Sequence, residues 1–273
     1  MVPKLPAGSF YGDTTHRRAV DGATFAESVY RRDLRIPTHE HANAFLNLVL
    51  EGTYTETCGT RARTRGPFSL ALHPSGERHA DHWHGLGGRV FHVEISPSLV
   101  ERVRGYSSVL DSAEEFQGGL PSWLAMRLYQ EHLRNDAESP LVMEGLLLEL
   151  LVECSRRRRG DRVRNPPPWL GRVRELLHDR FAENLTLEAI AAEAGVHPVH
   201  LARVFRQHCG CTLGDYVRQL RVEFAACQLI TTQVPLAALA FAAGFADQSH
   251  FCRTFKRHTG ITPASFRRYF GSR

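Results

Sequence analysis

The sequence predicts an α+β chain of two domains, an N-terminal β-barrel with following helices and an all-α C-terminal domain. Three observations carry this expectation. Between residues 22 and 97 short apolar runs alternate with Gly, Pro and His. From about Ser108 onward, apolar residues recur at three- and four-residue steps. The C-terminal segment contains a sequence repeat displaced by 49–50 positions.

At 273 residues the chain is long for a single core. Its 42% hydrophobic and 23% charged residues are ordinary for a folded protein and exclude a disordered or fibrous class. The richest apolar run, Leu141–Val152, is interrupted by Glu144 and Glu149 and is too short to span a bilayer, so no membrane partner is expected. The N-terminal MVPKLPAGSFYGD lacks the basic-then-apolar order of a secretory signal, so a cytoplasmic location is expected. The six cysteines show no paired CxxC spacing, and the expectation is free thiols.

Four runs read as strands: ATFAESVYRR (23–32), AFLNLVLEG (44–52), FSLALHPSG (68–76) and GRVFHVEIS (88–96). Two helices follow, over 121–134 and 140–159, the second ending on the Arg156–Arg159 run, whose cations suit a helix C-terminus. Gly160 and the triplet Pro166-Pro167-Pro168 then read as a break and a stiff linker. The expected domains are 1–107, 108–168 (helical dimerisation region and linker) and 169–273.

In the last domain LEAIAAEAGV (187–196) corresponds to LAALAFAAGF (236–245), and HLARVFRQHCGCT (200–212) to HFCRTFKRHTGIT (250–262). Each copy is a short helix, a glycine-containing turn and a second helix, the outline of a helix-turn-helix. Thr186 and His197 are placed to cap the two helices of the first copy; in the second, Pro235 starts the first helix and Asp247 caps the second. Gly195 and Gly244 supply the turns. Leu201, Val204, Phe205 and His208, and likewise Phe251, Phe255 and His258, form the inward faces. The outward faces carry Val199, Ala202, Arg203 and Arg206 in one copy, and Ser249, Cys252, Arg253 and Lys256 in the other. Residues 166–273 carry 13 Lys and Arg against 8 Asp and Glu, which accounts for the whole net charge of +5. A basic domain with two such helices predicts double-stranded DNA as partner.

In these motifs the C-terminal part resembles the AraC/XylS family of transcriptional regulators. AGFADQSHFCRTFKRHTGITPASFR (243–267) follows the family's C-terminal signature, and LTLEAIAAEAGVHPVHLARVFRQHCG (185–210) its first unit. GDYVRQLRVEFAACQLI (214–230) matches the joining helix. The resemblance implies a regulator that puts two recognition helices into successive major grooves and works with RNA polymerase. It implies Val199, Ala202 and Arg203, then Gln248, Ser249, Cys252 and Arg253, as base-reading candidates. The middle helices 121–134 and 140–159 are expected to form a homodimer interface or to pack on the barrel of the same chain.

The N-terminal part resembles a cupin-like barrel that binds a small-molecule effector. IPTHEHANAFLNLVLEGTY carries His39-x-His41, and GPFSLALHPSGERHADH carries Pro74-x-Gly76-x-x-His79. Residues two apart on a strand share a face, so His39, His41 and His79 are the candidate ligands for Zn²⁺ or Fe²⁺, with His82 and His84 nearby. The acidic ligand implied four or five residues after His41 is missing, because Phe45 and Leu46 occupy those positions. Trp83 and Phe91 are expected as walls of an effector pocket. The alternative is a cupin-type metalloenzyme with an accessory DNA-binding domain, against which the C-terminal repeat argues. A methyl-accepting repair protein would need a cluster of N-terminal cysteines, and Cys58 stands alone before Cys154.

Overall fold

The computed structural model describes residues 2–163 and 166–270 and divides into two compact units, Met1–Arg156 and Arg157–Arg273. The first unit contains β1 (Lys4–Leu5), β2 (Asp13–Val20), β3 (Ala23–Tyr30), β4 (Arg35–His41), β5 (Ala44–Cys58), β6 (Arg61–Arg65), β7 (Ser69–His73) and β8 (Arg78–Ile95). Helix α1 (Pro97–Arg104), strand β9 (Glu114–Gln117), helix α2 (Gly119–Arg134) and the start of α3 (Ser139–Val163) follow. The strands form one nine-stranded sheet in the order β1-β4-β8-β5-β7-β9, with β2-β3 paired onto β8 and β6 onto β5. Every pairing is antiparallel except β1 with β4.

The four expected strands are present. The strand pattern did not foretell β2, because DTTHRRAV is exposed and polar, as suits an edge strand. β5 and β8 run far beyond their apolar cores and pair along nearly their whole length. Their pairing shifts register between Val49 and Glu51 and again between Gly52 and Tyr54. Gly52 has φ +81°, and a Cβ there would lie 1.9 Å from the Gly87 carbonyl oxygen. Only glycine permits that close approach and that backbone.

The two faces of this sheet differ in chemistry. One is apolar: Phe25, Leu46, Leu48, Leu70, Leu72, Phe91 and Val93 are buried. Helix α2 covers part of it, with Trp123 against Phe68 at 4.2 Å and Tyr129 against Phe91 at 5.1 Å between ring centroids. The Tyr129 hydroxyl donates to Glu27 Oε2 at 2.8 Å, so the polar tip of the anchor is satisfied. The other face carries the histidines described below.

The expected helix 140–159 is longer than the sequence pattern indicates. α3 continues through Gly160 to Val163. One glycine costs a helix about 1 kcal/mol, too little to end a 25-residue helix already packed through Leu146, Leu147, Leu150, Leu151 and Cys154. The prolines also serve differently from a plain linker. Pro168 is the first residue of α4 (Pro168–Arg180), where its missing N–H leaves no bond unmade. Asn165 lies outside the described residues.

The second unit is helical: α4, α5 (Leu187–Ala194), α6 (Pro198–Cys209), α7 (Leu213–Thr231), α8 (Leu236–Ala242), α9 (Gln248–Thr259) and α10 (Pro263–Phe270). Leu170, Val173, Leu177, Ile190, Leu201, Phe205 and Leu220 form the core around the first repeat. A run of rings (Phe245, Phe251, Phe255, Phe266, Phe270) forms that of the second, with successive centroids 4.6–5.6 Å apart. Among the described residues no helix is long and apolar enough to cross a membrane, and all six cysteines are free.

Candidate nucleic-acid interface and a buried histidine cluster

Each repeat is built by its local chemistry. In the first, Thr186 Oγ1 accepts the Ala189 N–H at 3.2 Å, and Gly195 ends α5 in the left-handed region at φ +68°. His197 Nδ1 accepts the Val199 N–H at 3.3 Å, and Pro198 opens α6. In the second, Pro235 precedes α8, Gly244 turns the chain at φ +79°, and Asp247 accepts the His250 N–H at 2.7 Å. Both second helices bury one face, Leu201, Val204 and Phe205 in α6 and Phe251, Thr254 and Phe255 in α9.

The opposite faces are open. Val199, Arg203, Arg206, Gln248, Ser249, Arg253 and Lys256 are exposed, and Ala202 and Cys252 are half-buried. Val199 is 69% exposed, so it is an outward apolar group and not part of the core. Other cations of this unit are engaged internally. Arg180 pairs with Glu183 and Glu193 at 2.8 and 2.7 Å, and Arg218 with Asp215 at 2.6 Å. Arg203, Arg206, Arg253 and Lys256 form no ion pair among the described residues, so their charge faces outward.

α7 joins the repeats through a residue the sequence reading passed over. The half-buried Arg221 guanidinium donates to three carbonyls: Phe181 at 2.8 Å and Glu183 at 2.9 Å beside the first repeat, and Gly244 at 2.5 Å in the turn of the second.

In the first unit the sheet brings His39, His41 and His79 together, with one ligand nitrogen from each within 4.8 Å of the others. All three are buried. His39 Nδ1 lies 3.0 Å from the Pro37 carbonyl, which only accepts, so Nδ1 carries the proton and Nε2 is left as a lone pair. Burial and the neighbouring rings push His41 down to about 2 and His79 to about 3, and burial lowers His39 as well. Neutral imidazole is the form that ligates metal.

The structure adds residues to this cluster. His73 stacks on Phe45 at 4.6 Å and lies 5.1 Å from His79. His92 bonds Tyr30 Oη at 3.0 Å and Asn47 Oδ1 at 2.6 Å. Phe10 stacks on His92 at 4.1 Å, and Tyr11 meets His39 edge-on at 4.8 Å. Glu56 and Asp81, opposite each other on β5 and β8, share the face, and a ligand oxygen of each lies within 4.8 Å of a His79 nitrogen. Burial, then the Glu56 charge, raises Asp81 to about 8.

Two other expectations meet a different arrangement. His82 and His84 alternate with His79, Asp81 and Trp83 along β8, and His84 bonds Thr55 Oγ1 at 2.8 Å, away from the cluster. Trp83 is sandwiched by Tyr30 at 4.5 Å and Tyr54 at 4.7 Å, whereas Phe91 packs on Tyr129 and His132. They do not form one pocket wall, because the register shifts opposite β8 place them on opposite faces of the sheet.

A family model described as a helix-turn-helix domain matches residues 190–269. The regulatory protein SoxS of Escherichia coli strain K12 is 34% identical over 91 residues, 33% of this chain and 85% of that protein. The bifunctional transcriptional activator/DNA repair enzyme AdaA of Bacillus subtilis strain 168 is 37% identical over 99 residues, 36% of this chain and 47% of that protein. The arabinose operon regulatory protein of Escherichia coli strain K12 is 33% identical over 133 residues, 47% of this chain and 44% of that protein. The chain therefore spans less than half the length of the last two relatives. With paired helix-turn-helix units, a shared connecting helix and these relatives, the chain belongs to the AraC-type helix-turn-helix transcriptional regulators.

Proposed function

We propose that the protein is a sequence-specific regulator of transcription that reads double-stranded DNA with α6 and α9 and answers to a ligand held in its N-terminal unit. One observation carries the first half of this reading. Two capped helices expose equivalent basic faces, and Arg221 ties the segment before the first repeat and the turn of the second to one connecting helix. Val199, Ala202, Arg203 and Arg206 form one reading face, and Gln248, Ser249, Cys252, Arg253 and Lys256 the other. Arg253 is suited to a bidentate contact with guanine, and Val199 and Ala202 to thymine methyl groups. A DNA-bound regulator of this kind works in the cytoplasm with RNA polymerase.

For the ligand, the donor set favours a metal in a cupin-like site. His39, His41 and His79 offer three neutral nitrogens on adjacent strands, and the Pro37 carbonyl fixes the tautomer of His39 as outer-shell partners do. Three imidazoles suit Zn²⁺ or Fe²⁺, which would bind here as an effector and not as a catalytic centre. A small organic effector in the same interior is the second reading, favoured by the ring-lined face of Phe10, Phe45 and His92. The homodimer is assigned to α3, whose Leu141, Val142 and Val152 are exposed.

Selection of bound sequences from random DNA, repeated with zinc, with iron(II) and with a chelator, tests this directly. A defined site enriched in one metal condition supports both halves. Enrichment unaffected by metal leaves DNA reading and removes the metal effector; failure to enrich any sequence removes the regulator reading.

A further inference from the structure

One buried carboxylate beside the histidines is not assigned by the motif spacing. Glu56, on β5, is only 3% exposed, yet its Oε1 makes no hydrogen bond among the described residues. A buried carboxylate oxygen without a donor is costly, and a native fold retains one where something else satisfies it. The other oxygen is fully engaged: Arg65 donates to Glu56 Oε2 from Nε at 3.1 Å and from Nη2 at 2.5 Å. Both bonds go to the same oxygen, so Oε1 receives no hydrogen bond from Arg65.

What Oε1 faces is the histidine cluster. His73 Nε2 lies 3.3 Å from it, without hydrogen-bond geometry, and His73 Nδ1 is held by Glu77 Oε2 at 2.7 Å. Glu56, His79 and Asp81 form one set of ligand atoms within 4.8 Å of one another, and His79 also belongs to the separate set with His39 and His41. Asp81, opposite Glu56 in the β5–β8 register, adds a second carboxyl with an unpartnered Oδ1.

We infer that Glu56 is the anionic ligand of the metal site, joining His39, His41 and His79 and replacing the carboxylate whose usual position holds Phe45 and Leu46. The inference rests on the metal reading above and adds the fourth donor. Three imidazoles and one carboxylate select a borderline divalent ion such as Zn²⁺, Fe²⁺ or Co²⁺ over Ca²⁺ or Mg²⁺, which prefer all-oxygen sets. Arg65 and His73 act as positioning residues that hold the carboxylate in place.

The test uses the full-length chain, with zinc affinity from chelator competition and cobalt(II) visible absorption as a report on ligand identity. Wild type, Glu56→Gln, Glu56→Asp and His79→Ala are compared, each checked for fold by near-ultraviolet circular dichroism. Glu56→Asp keeps the charge opposite Arg65 and shortens the reach, so it remains informative if Glu56→Gln fails to fold. One ion per wild-type chain is expected. Both Glu56 variants should weaken zinc by more than the roughly 10–100-fold that loss of an outer-shell partner costs, with shifted cobalt bands. A smaller loss with an unchanged cobalt spectrum would overturn Glu56 as a ligand while the three-histidine site stands. Absence of metal from wild type would overturn that site as well.

Discussion

Arg221 Nη1 donates to the carbonyl of Gly244 at 2.5 Å, across 23 residues of sequence, from the helix that joins the two repeats to the turn of the second. The same guanidinium holds the carbonyls of Phe181 and Glu183 near the first repeat. Gly244 has room for nothing else, because a Cβ there would lie 2.4 Å from the Ala182 carbonyl oxygen. Arg221 and Gly244 thus join α7 to the turn of the second repeat. Replacing Arg221 by Met leaves three carbonyls without this donor and should lower the stability of the second unit by about 2–4 kcal/mol, at about 1.5–3 kcal/mol per charged hydrogen bond less what water recovers. Urea unfolding followed by tryptophan emission measures it, and a loss below about 1 kcal/mol would show that water substitutes fully.

Arg253 and Arg203 occupy equivalent places on α9 and α6, and neither is in an ion pair among the described residues. Arg253→Ala should cost about 1–3 kcal/mol on the selected site and relax preference at one base position. Lys256→Ala should weaken all sequences alike and reduce the slope of log K against log salt by about 1. Fluorescence anisotropy on selected and scrambled duplexes separates the two. Equal losses on both duplexes for Arg253→Ala would make it a phosphate contact.

The repeats were legible because helix-turn-helix information is local. Caps at Thr186 and Asp247, glycines at 195 and 244, and a 3.6-residue apolar period all lie within a dozen neighbouring positions. His39, His41 and His79 were legible for a similar reason, a two-residue spacing on one strand and a Pro-x-Gly-x-x-His turn. Glu56 was not. Counting alternate residues from the inward-facing Phe45 assigns it to the opposite face, and it points inward only because β5 shifts register at Val49/Glu51 and Gly52/Tyr54. The same parity change separates Trp83 from Phe91. Arg221 was hidden differently: its partners are backbone carbonyls, which no side-chain pattern announces.

The buried histidines make the stability of the first unit depend on pH. Burial lowers His41 to about 2, His79 and His92 to about 3 and His132 to about 4. The unfolded chain binds protons at these positions below about 6.5, while the folded chain does not. Their contribution is therefore complete above that pH and is lost as pH falls, at up to about 1.4 kcal/mol per pH unit for each histidine. Asp81, raised to about 8, works in the opposite sense: the folded chain keeps its proton, and that contribution fades as pH rises from about 4 toward 8. Four histidines outweigh one aspartate, so the melting temperature of the apo chain should fall steeply from pH 6.5 to 5 and decline gently above 7. Calorimetric scans from pH 5 to 8 check this. A profile flat between pH 5 and 6.5 would mean that protons enter the folded cluster.

Helix α3 buries Leu146, Leu147, Leu150 and Leu151 on one side, while Leu141, Val142 and Val152 stay exposed on another, with Leu148 half-buried beside them. Leu141, Leu148 and Val152 are seven and four residues apart, the spacing that aligns side chains along one helix face and suits a paired helix. A second copy of α3 would cover this stripe and place two pairs of reading helices on one duplex. The double variant Leu141→Glu/Val152→Glu puts like charges on the seam while leaving the buried leucines untouched. It should convert a dimer to a monomer by sedimentation velocity at micromolar concentration, with the melting temperature of dilute protein nearly unchanged. DNA affinity for a two-half-site duplex should fall far more than for a single half-site, because linked sites bind at an effective concentration near the millimolar range. A variant that stays dimeric would move the interface off α3; equal losses on both duplexes would mean the monomer already reads the full site.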